Sequence, residues 1–390
     1  MYFTRNSTRF DKSKGRALLA NTRQHQKHKE KYKALYSQMP EYVKDYVDAM
    51  EDNHRSPSTL FNYLLDYQDF FKWLLREGIA KADHVKHIHH DALAELPLEL
   101  ARAYFKKLEE EEYDVSKYEK KTRSKSIINR KKSALRSLFK YLTTQYEDSN
   151  GEPLFHRNVM QKIPVIKEKE SLNARSNKMA NSIFQENSDV DFLFYVKNQY
   201  ENELSERKKS YFLRDKERDY AILSLLLGSG IRVNELVELR IRDLNFENNT
   251  ISVIRKGDKK DIVTVFAEVM DDIEVYLSIR NQRYKGTNAE HEYLFLSKYN
   301  QSFSPITIRT VQDLVRKYTK AFNNGKRSMS PHKLRHTYAT TLMDETKDLS
   351  LVMEQLGHTS ETTALLYVHT SQVKAKRAAE ALADRRKRLK

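Results

Sequence analysis

Between about residues 145 and 190 a linker is expected, and this interruption constrains the fold more than any other feature. The stretches "EDSNGEPLF" and "VIKEKESLNARSNKMANS" are polar and irregular, and Pro153 and Pro164 lack the amide hydrogens that a continuous helix needs. On either side, apolar residues return at helical spacing. In "SPSTLFNYLLDYQDFFKWLLREG", Leu60, Leu64, Tyr67, Phe71 and Leu74 step by four and three, which predicts one buried face, and Gly78 supplies the stop. In "KKTRSKSIINRKKSALRSLFKYLTTQY", Ile128, Leu135, Leu138, Phe139 and Leu142 share one side, while Lys125, Asn129, Lys132 and Arg136 lie on another. Two hydrophobic cores are therefore expected, as a length of 390 residues allows.

Past the interruption, helical segments are predicted around 190 to 228. Then comes one clear strand pair, the β-branched and alternating "TISVIR" and "IVTVF", joined by "KGDKKD" with Gly257 and Asp258 as turn residues. Helices follow to the C-terminus. The expected class is mainly α with a small antiparallel β-sheet. The expected organisation is a basic N-terminal arm over 1–35, a helical domain with its linker over 36–165, and a second domain over 166–390.

Charge narrows the function. Lys and Arg number 70 against 54 Asp and Glu, a formal net charge of +16 spread over several segments, so a polyanionic partner is expected. Residues 1 to 35 alone carry ten basic residues against two acids and few large apolar side chains, and read as an adaptable arm without a core of its own. The absence of Cys excludes disulfide scaffolds and thiolate zinc sites. Neither a secretory leader nor a run of roughly 20 apolar residues is visible, so a soluble cytoplasmic protein with no membrane partner is expected.

Four stretches carry the chemistry. In "SPHKLRHTYATTLM", Ser330 suits a helix N-cap, Pro331 the first helical position, and His332 and Arg335 lie three apart on the first turn. A helix N-terminus with a forked guanidinium aimed at it favours a phosphate. His336, one residue past Arg335, faces roughly 100 degrees away and reads as structural. A lone H-x-x-R would signify no more than a capped helix. Its companions are "LLLGSGIRVNELVELRIRDL", the hairpin "VIRKGDKKDIVTV" and "LSLVMEQLGHTSETTALLYVHT".

In these stretches the chain resembles the tyrosine recombinases, or phage-integrase family. Gly230-Ile231-Arg232-Val233-Asn234-Glu235-Leu236 is similar to that family's first arginine motif, His332-Lys333-Leu334-Arg335-His336 to its H-x-x-R box, and Leu356-Gly357-His358 with Tyr367 nine residues on to its last motif. Lys256 best fits the hairpin lysine, with Lys259 and Lys260 as alternatives. Within the family, the stretch from 37 to 79 resembles the single-protein Xer recombinases, the XerS type. The resemblance implies a helical core-DNA-binding domain and an α-rich catalytic domain. It further implies Tyr367 as nucleophile, Arg232 and Arg335 clamping the nonbridging phosphate oxygens, and Lys256 as general acid. His332 would hydrogen-bond the phosphate and take part in activating the tyrosine, and His358 would donate to a nonbridging oxygen; from its place one helical turn beyond Arg232, Glu235 would hold an arginine or its own helix in place. Lys125, Lys132 and Arg136 would contact DNA.

The activity implied is site-specific recombination through a 3′-phosphotyrosyl intermediate, with neither cofactor nor metal. The task would be Xer-like chromosome or plasmid dimer resolution, or integration and excision of a mobile element. The partners implied are a double-stranded recombination site, three further copies in a tetramer built as a dimer of dimers, and an accessory DNA translocase. A C-terminal segment would dock on a neighbouring protomer through Ala378, Ala379, Leu382 and Ala383. A type IB topoisomerase or a catalytically silent DNA-binding protein would carry similar residues. "HIHHD" at 87 to 91 reads as a solvated loop, and Asp271, Asp272 and Glu274 as solvent-facing helix acids.

Overall fold

In the computed structural model, residues 23–116, 119–148, 150–166, 170–255, 259–284, 292–299, 302–357, 361–368 and 382–387 are described. Two compact units divide the chain, one ending at Glu168 and the other beginning at Lys169.

The first unit contains helices α1 (Arg23–Tyr36), α2 (Glu41–Asp52), α3 (Pro57–Arg76), α4 (Asp91–Ala94), α5 (Leu98–Glu110) and α6 (Lys125–Thr144). Helix α3 starts where Ser56 caps the Thr59 amide and Pro57 fills the first position, and its face of Leu60, Leu64, Tyr67, Phe71 and Leu74 is buried. Helix α6 is capped by Ser124 and buries Ile128, Leu135, Leu138, Phe139 and Leu142 against the same core. Residues 23–36 differ from the expected arm. They form α1, whose Tyr32 is buried in the core and donates to Glu51 at 2.9 Å, while Tyr36 donates to Asp48 at 2.8 Å. Acids on α2 thus receive the aromatic edge of an otherwise basic helix.

The second unit comprises α7 (Leu172–Ala180), α8 (Ser188–Asn198), α9 (Glu206–Ser229), α10 (Val233–Glu238), α11 (Ala267–Arg283), α12 (Ile308–Phe322), α13 (Pro331–Thr346), α14 (Leu349–Leu356) and α15 (Glu361–Val368). The run "AILSLLLG" is buried from Ala221 to Gly228, because α9 lies between α11 and α13 and has no solvent face there. Strand β4 (Thr250–Ile254) pairs antiparallel with β5 (Lys260–Thr264), Thr250 opposite Thr264 and Ile254 opposite Lys260.

More strand is present than the one expected pair. A short β3 (Leu244–Asn245) extends the sheet, and separate hairpins form from β1 (Glu112–Ser116) with β2 (Glu119–Thr122), and from β6 (Leu296–Tyr299) with β7 (Ser302–Pro305). These strands are two to five residues long. Those of the two hairpins carry charges or serines where alternation of apolar residues would have marked a buried face. Among the described residues, no helix is long and apolar enough to cross a membrane.

A smaller apolar cluster within the second unit positions the chemistry. Met179, Ile183, Tyr338, Ala339, Met343, Val352, Leu356, Leu366 and Tyr367 pack together, so α7, α13, α14 and α15 hold one another.

Candidate active site

The site begins at two helix ends. Helix α9 terminates at Gly230 with φ +62°, where a Cβ would run into the Tyr338 ring. Helix α14 terminates at Gly357 with φ +59°, where a Cβ would lie 2.8 Å from the Arg255 Nε. The last carbonyls of a helix have no partner within it. Arg335, on α13, supplies one to both ends: its Nη1 donates to Gly230 O at 2.5 Å and its Nη2 to Leu356 O at 2.6 Å. One guanidinium therefore fixes the turn before Arg232 against the turn that follows α14.

Arg335 is only 2% exposed. Burial foremost, and the nearby Arg232 charge second, pull its pKa down to about 10, with Glu235 acting in the opposite direction. A guanidinium under that pressure gains from an incoming anion.

Arg232 is the N-cap of α10. Its amide donates to Glu235 Oε2 at 2.8 Å and its Nη1 to Glu235 Oε1 at 2.9 Å, yet its side chain remains 38% exposed and open to a ligand. Glu235 also accepts from Arg255 Nη1 at 3.2 Å. Arg255 ends the β4 side of the hairpin, where its Nε donates to Asp261 Oδ2 at 2.8 Å and its Nη2 to Gln355 O at 2.7 Å. The hairpin is thereby tied to both arginine-bearing regions.

Tyr367, on α15, is 1% exposed. Burial pushes its phenol up to about 12, and the Arg335 and Arg232 charges work against that rise, so both act on the hydroxyl. His336 Nδ1 lies 3.0 Å from the Tyr367 Oη, and His336 Nε2 lies 2.9 Å from His332 Nε2. Desolvation and the charges of Arg335, Lys333 and Arg232 push the His332 imidazole down.

Of the residues expected from sequence, Arg232, His332, Arg335 and Tyr367 come together here, with Glu235 behind Arg232. Lys256 and His358 lie outside the described residues, whereas Lys259 and Lys260 are exposed on the hairpin. Two participants were missed. By its angle from Arg335, His336 reads as structural, although its spacing of four from His332 is the one that stacks two side chains on a helix. Arg255 gave no signal, because its partners lie 6, 20 and 100 residues away.

In the first unit, Lys125 is exposed and Arg136 half-buried. Lys132 differs from the expected phosphate-facing arc: it is buried, pairs with Glu109 at 3.4 Å and places its ammonium 5.4 Å over the Phe105 ring. Helix α5 packs on that side of α6 and takes the lysine with it. Asp272 is likewise engaged, accepting the Ser224 hydroxyl at 2.6 Å. His89, His90 and Asp91 bring their ligand atoms within 4.8 Å, with Asp91 pairing to the two rings at 2.9 and 3.1 Å.

The sequence profile of the Phage integrase family matches residues 194–373. Over 354 residues the chain is 41% identical to the tyrosine recombinase XerS of Streptococcus thermophilus, covering 90% of this chain and 97% of that protein. It is 39% identical over 353 residues to XerS of Streptococcus agalactiae, covering 90% and 98%. The fold is similar to a crystal structure of the XerH site-specific recombinase bound to a palindromic difH substrate in a post-cleavage complex. That match has a TM-score of 0.54 and 23% identity, and covers 83% of this chain and 78% of that one.

Proposed function

Since the chain belongs to the phage integrase family and is a tyrosine recombinase of the XerS type, a site-specific DNA breaking and rejoining enzyme, we propose that its active site is Arg232, Lys256, His332, Arg335, His358 and Tyr367. One observation carries this reading: the buried Tyr367 hydroxyl lies 3.0 Å from His336, which meets His332 at 2.9 Å, on the same helix whose Arg335 ties Gly230, two residues before Arg232, to Leu356. The topoisomerase and silent-binder alternatives are not favoured, given 41% identity to a recombinase along nearly its whole length.

The chemistry follows from these groups. Arg232, partly exposed, and Arg335, held by two carbonyls, neutralise the nonbridging oxygens as charge builds on the phosphorane. The Tyr367 oxygen bonds to phosphorus, the bond to the 5′ oxygen breaks, and Lys256 protonates that oxygen. Because one phosphate ester is exchanged for another, rejoining runs the same steps in reverse and needs no high-energy cofactor. His358 donates to a nonbridging oxygen.

The unit ending at Glu168 is the core-DNA-binding domain together with the basic arm, and Lys125 and Arg136 contact phosphates there. The unit from Lys169 is the catalytic domain. The enzyme acts in the cytoplasm as a tetramer, a dimer of dimers on double-stranded DNA. Leu382 and Ala383, both exposed, belong with Ala378 and Ala379 to the segment that docks on a neighbouring protomer. Its task is resolution of chromosome or plasmid dimers before cell division, assisted by a DNA translocase. Support for this finer role is the match to XerS proteins over 97% of their length.

A nicked suicide substrate bearing a palindrome-like repeat from beside the coding sequence tests the assignment. Wild type should be trapped on the DNA as a covalent complex. Tyr367→Phe should bind and not be trapped, and a trapped Tyr367→Phe complex would refute the assignment. Recombination of a two-site plasmid, followed with and without the translocase, tests the finer role.

A further inference from the structure

We propose that His336 is a catalytic residue: it holds the Tyr367 hydroxyl and takes its proton as the tyrosine attacks. This inference rests on the assignment of Tyr367 as nucleophile made above.

The geometry is a three-member chain. The His336 ring centroid lies 5.6 Å from that of Tyr367 and 4.2 Å from that of His332, the two imidazoles inclined at 68°. Each end of the His336 ring meets a partner at hydrogen-bond distance, Nδ1 to the phenol at 3.0 Å and Nε2 to His332 Nε2 at 2.9 Å. Two facing ring nitrogens at that distance require one hydrogen between them.

When His336 supplies it, donating from Nε2 to a neutral His332, the lone pair of Nδ1 faces the Tyr367 O–H and the phenol is the donor. Desolvation first, and then the charges of Arg335, Lys333 and Arg232, disfavour a charged His332, and the neutral ring accepts at Nε2 when its hydrogen sits on Nδ1. Once Nδ1 has taken the phenol proton, His336 is an imidazolium whose two N–H groups both have partners, the phenolate on one side and His332 on the other.

His332 is the poorer candidate for this step. Its Nε2 meets His336 and not the tyrosine, and the residue as a whole is exposed. On the exposed side it is better placed to meet a phosphate. The step balances as follows: the proton moves from Tyr367 Oη to His336 Nδ1, the Oη–P bond forms, the P–O5′ bond breaks, and the 5′ oxygen takes its proton from Lys256. On rejoining, His336 returns the proton to the departing phenolate.

The test measures the rate of covalent complex formation on the nicked substrate, normalised to the DNA-bound fraction. Glutamine at position 336 can accept a hydrogen bond from the phenol but cannot take its proton, so His336→Gln should be slowed about 100-fold or more. His336→Asn serves as a second variant of the same logic. Replacing Tyr367 by a fluorinated, more acidic tyrosine should restore much of the lost rate in both, and should not rescue Lys256→Ala. Conversely, a substrate with sulfur at the bridging 5′ position, whose thiolate leaves without a proton, should rescue Lys256→Ala and not His336→Gln. A wild-type rate in His336→Gln, or a loss that the acidic phenol leaves untouched, would overturn the proposal and reduce His336 to a prop. Covalent trapping by Tyr367→Phe in the same series would instead overturn the nucleophile assignment.

Discussion

Glu235→Gln isolates the charge that organises two arginines while keeping the size of the side chain. In the wild type, Oε2 accepts from the Arg232 amide at 2.8 Å and from Arg255 Nη1 at 3.2 Å, and Oε1 accepts from Arg232 Nη1 at 2.9 Å. A glutamine best keeps its one carbonyl in the Oε2 position, since two donors converge there. Its NH2 then faces the Arg232 guanidinium, donor against donor. Removing one member of a buried pair costs about 3–5 kcal/mol. Arg232 is 38% exposed and can swing into water, and Arg255 keeps Asp261, so the loss here should be nearer 2 kcal/mol. For a unit of this size that corresponds to roughly 4–8 °C in Tm. The released guanidinium also loses the position from which it is proposed to clamp the phosphate, and misplacement of that order should slow attack about 100-fold. Thermal melts at low salt and trapping on the suicide substrate read the two effects. A variant that melts within 1 °C of wild type and is trapped at the wild-type rate would refute the role given to Glu235.

Three further outcomes are expected. Gly357→Ala should destabilise by about 1–2 kcal/mol from the left-handed backbone alone, and should also slow cleavage because the new Cβ displaces the tethered Arg255; melting and trapping measure both. Raising the Tyr367 pKa to about 12 from an unfolded value of 10 favours the neutral phenol in the folded state. Its contribution is therefore complete below pH 10 and lost as pH rises towards 12, by up to roughly 3 kcal/mol, and alkaline denaturation of wild type against Tyr367→Phe should show that excess loss in the wild type only. Lys125→Ala and Arg136→Ala should each reduce the salt dependence of DNA binding by about 0.9 in the log-log slope, while Lys132→Ala should leave the slope alone and lower the melting temperature through its lost contacts with Glu109 and Phe105.

Legibility of the fold followed burial. The faces of α3 and α6 could be read because a packed helix repeats its apolar side chains, and the β4–β5 pair because alternation marks one buried face of a sheet. Hairpins β1–β2 and β6–β7 could not, since short polar strands carry no such alternation. The same limit explains Lys132, whose periodicity gives its angle around α6 and says nothing of α5 arriving on that side. In the site, His336 and Arg255 escaped for a related reason: each is defined by partners that only tertiary structure supplies.

What made the rest of the site readable is backbone chemistry. Gly230 and Gly357 both end helices in the left-handed conformation, where their amides take up Leu226 O and Glu354 O, but a helix C-terminus has more carbonyls to satisfy than its cap can reach. Arg335 takes one carbonyl from each end, so the glycine of the first arginine motif and that of the last motif serve a single guanidinium. The side chain proposed to grip the phosphate is also the fastener that ties the turn before Arg232 to the end of α14. Substituting Arg335 by lysine would preserve charge but present one ammonium where two divergent donors are needed, so the geometry should fail before the electrostatics do.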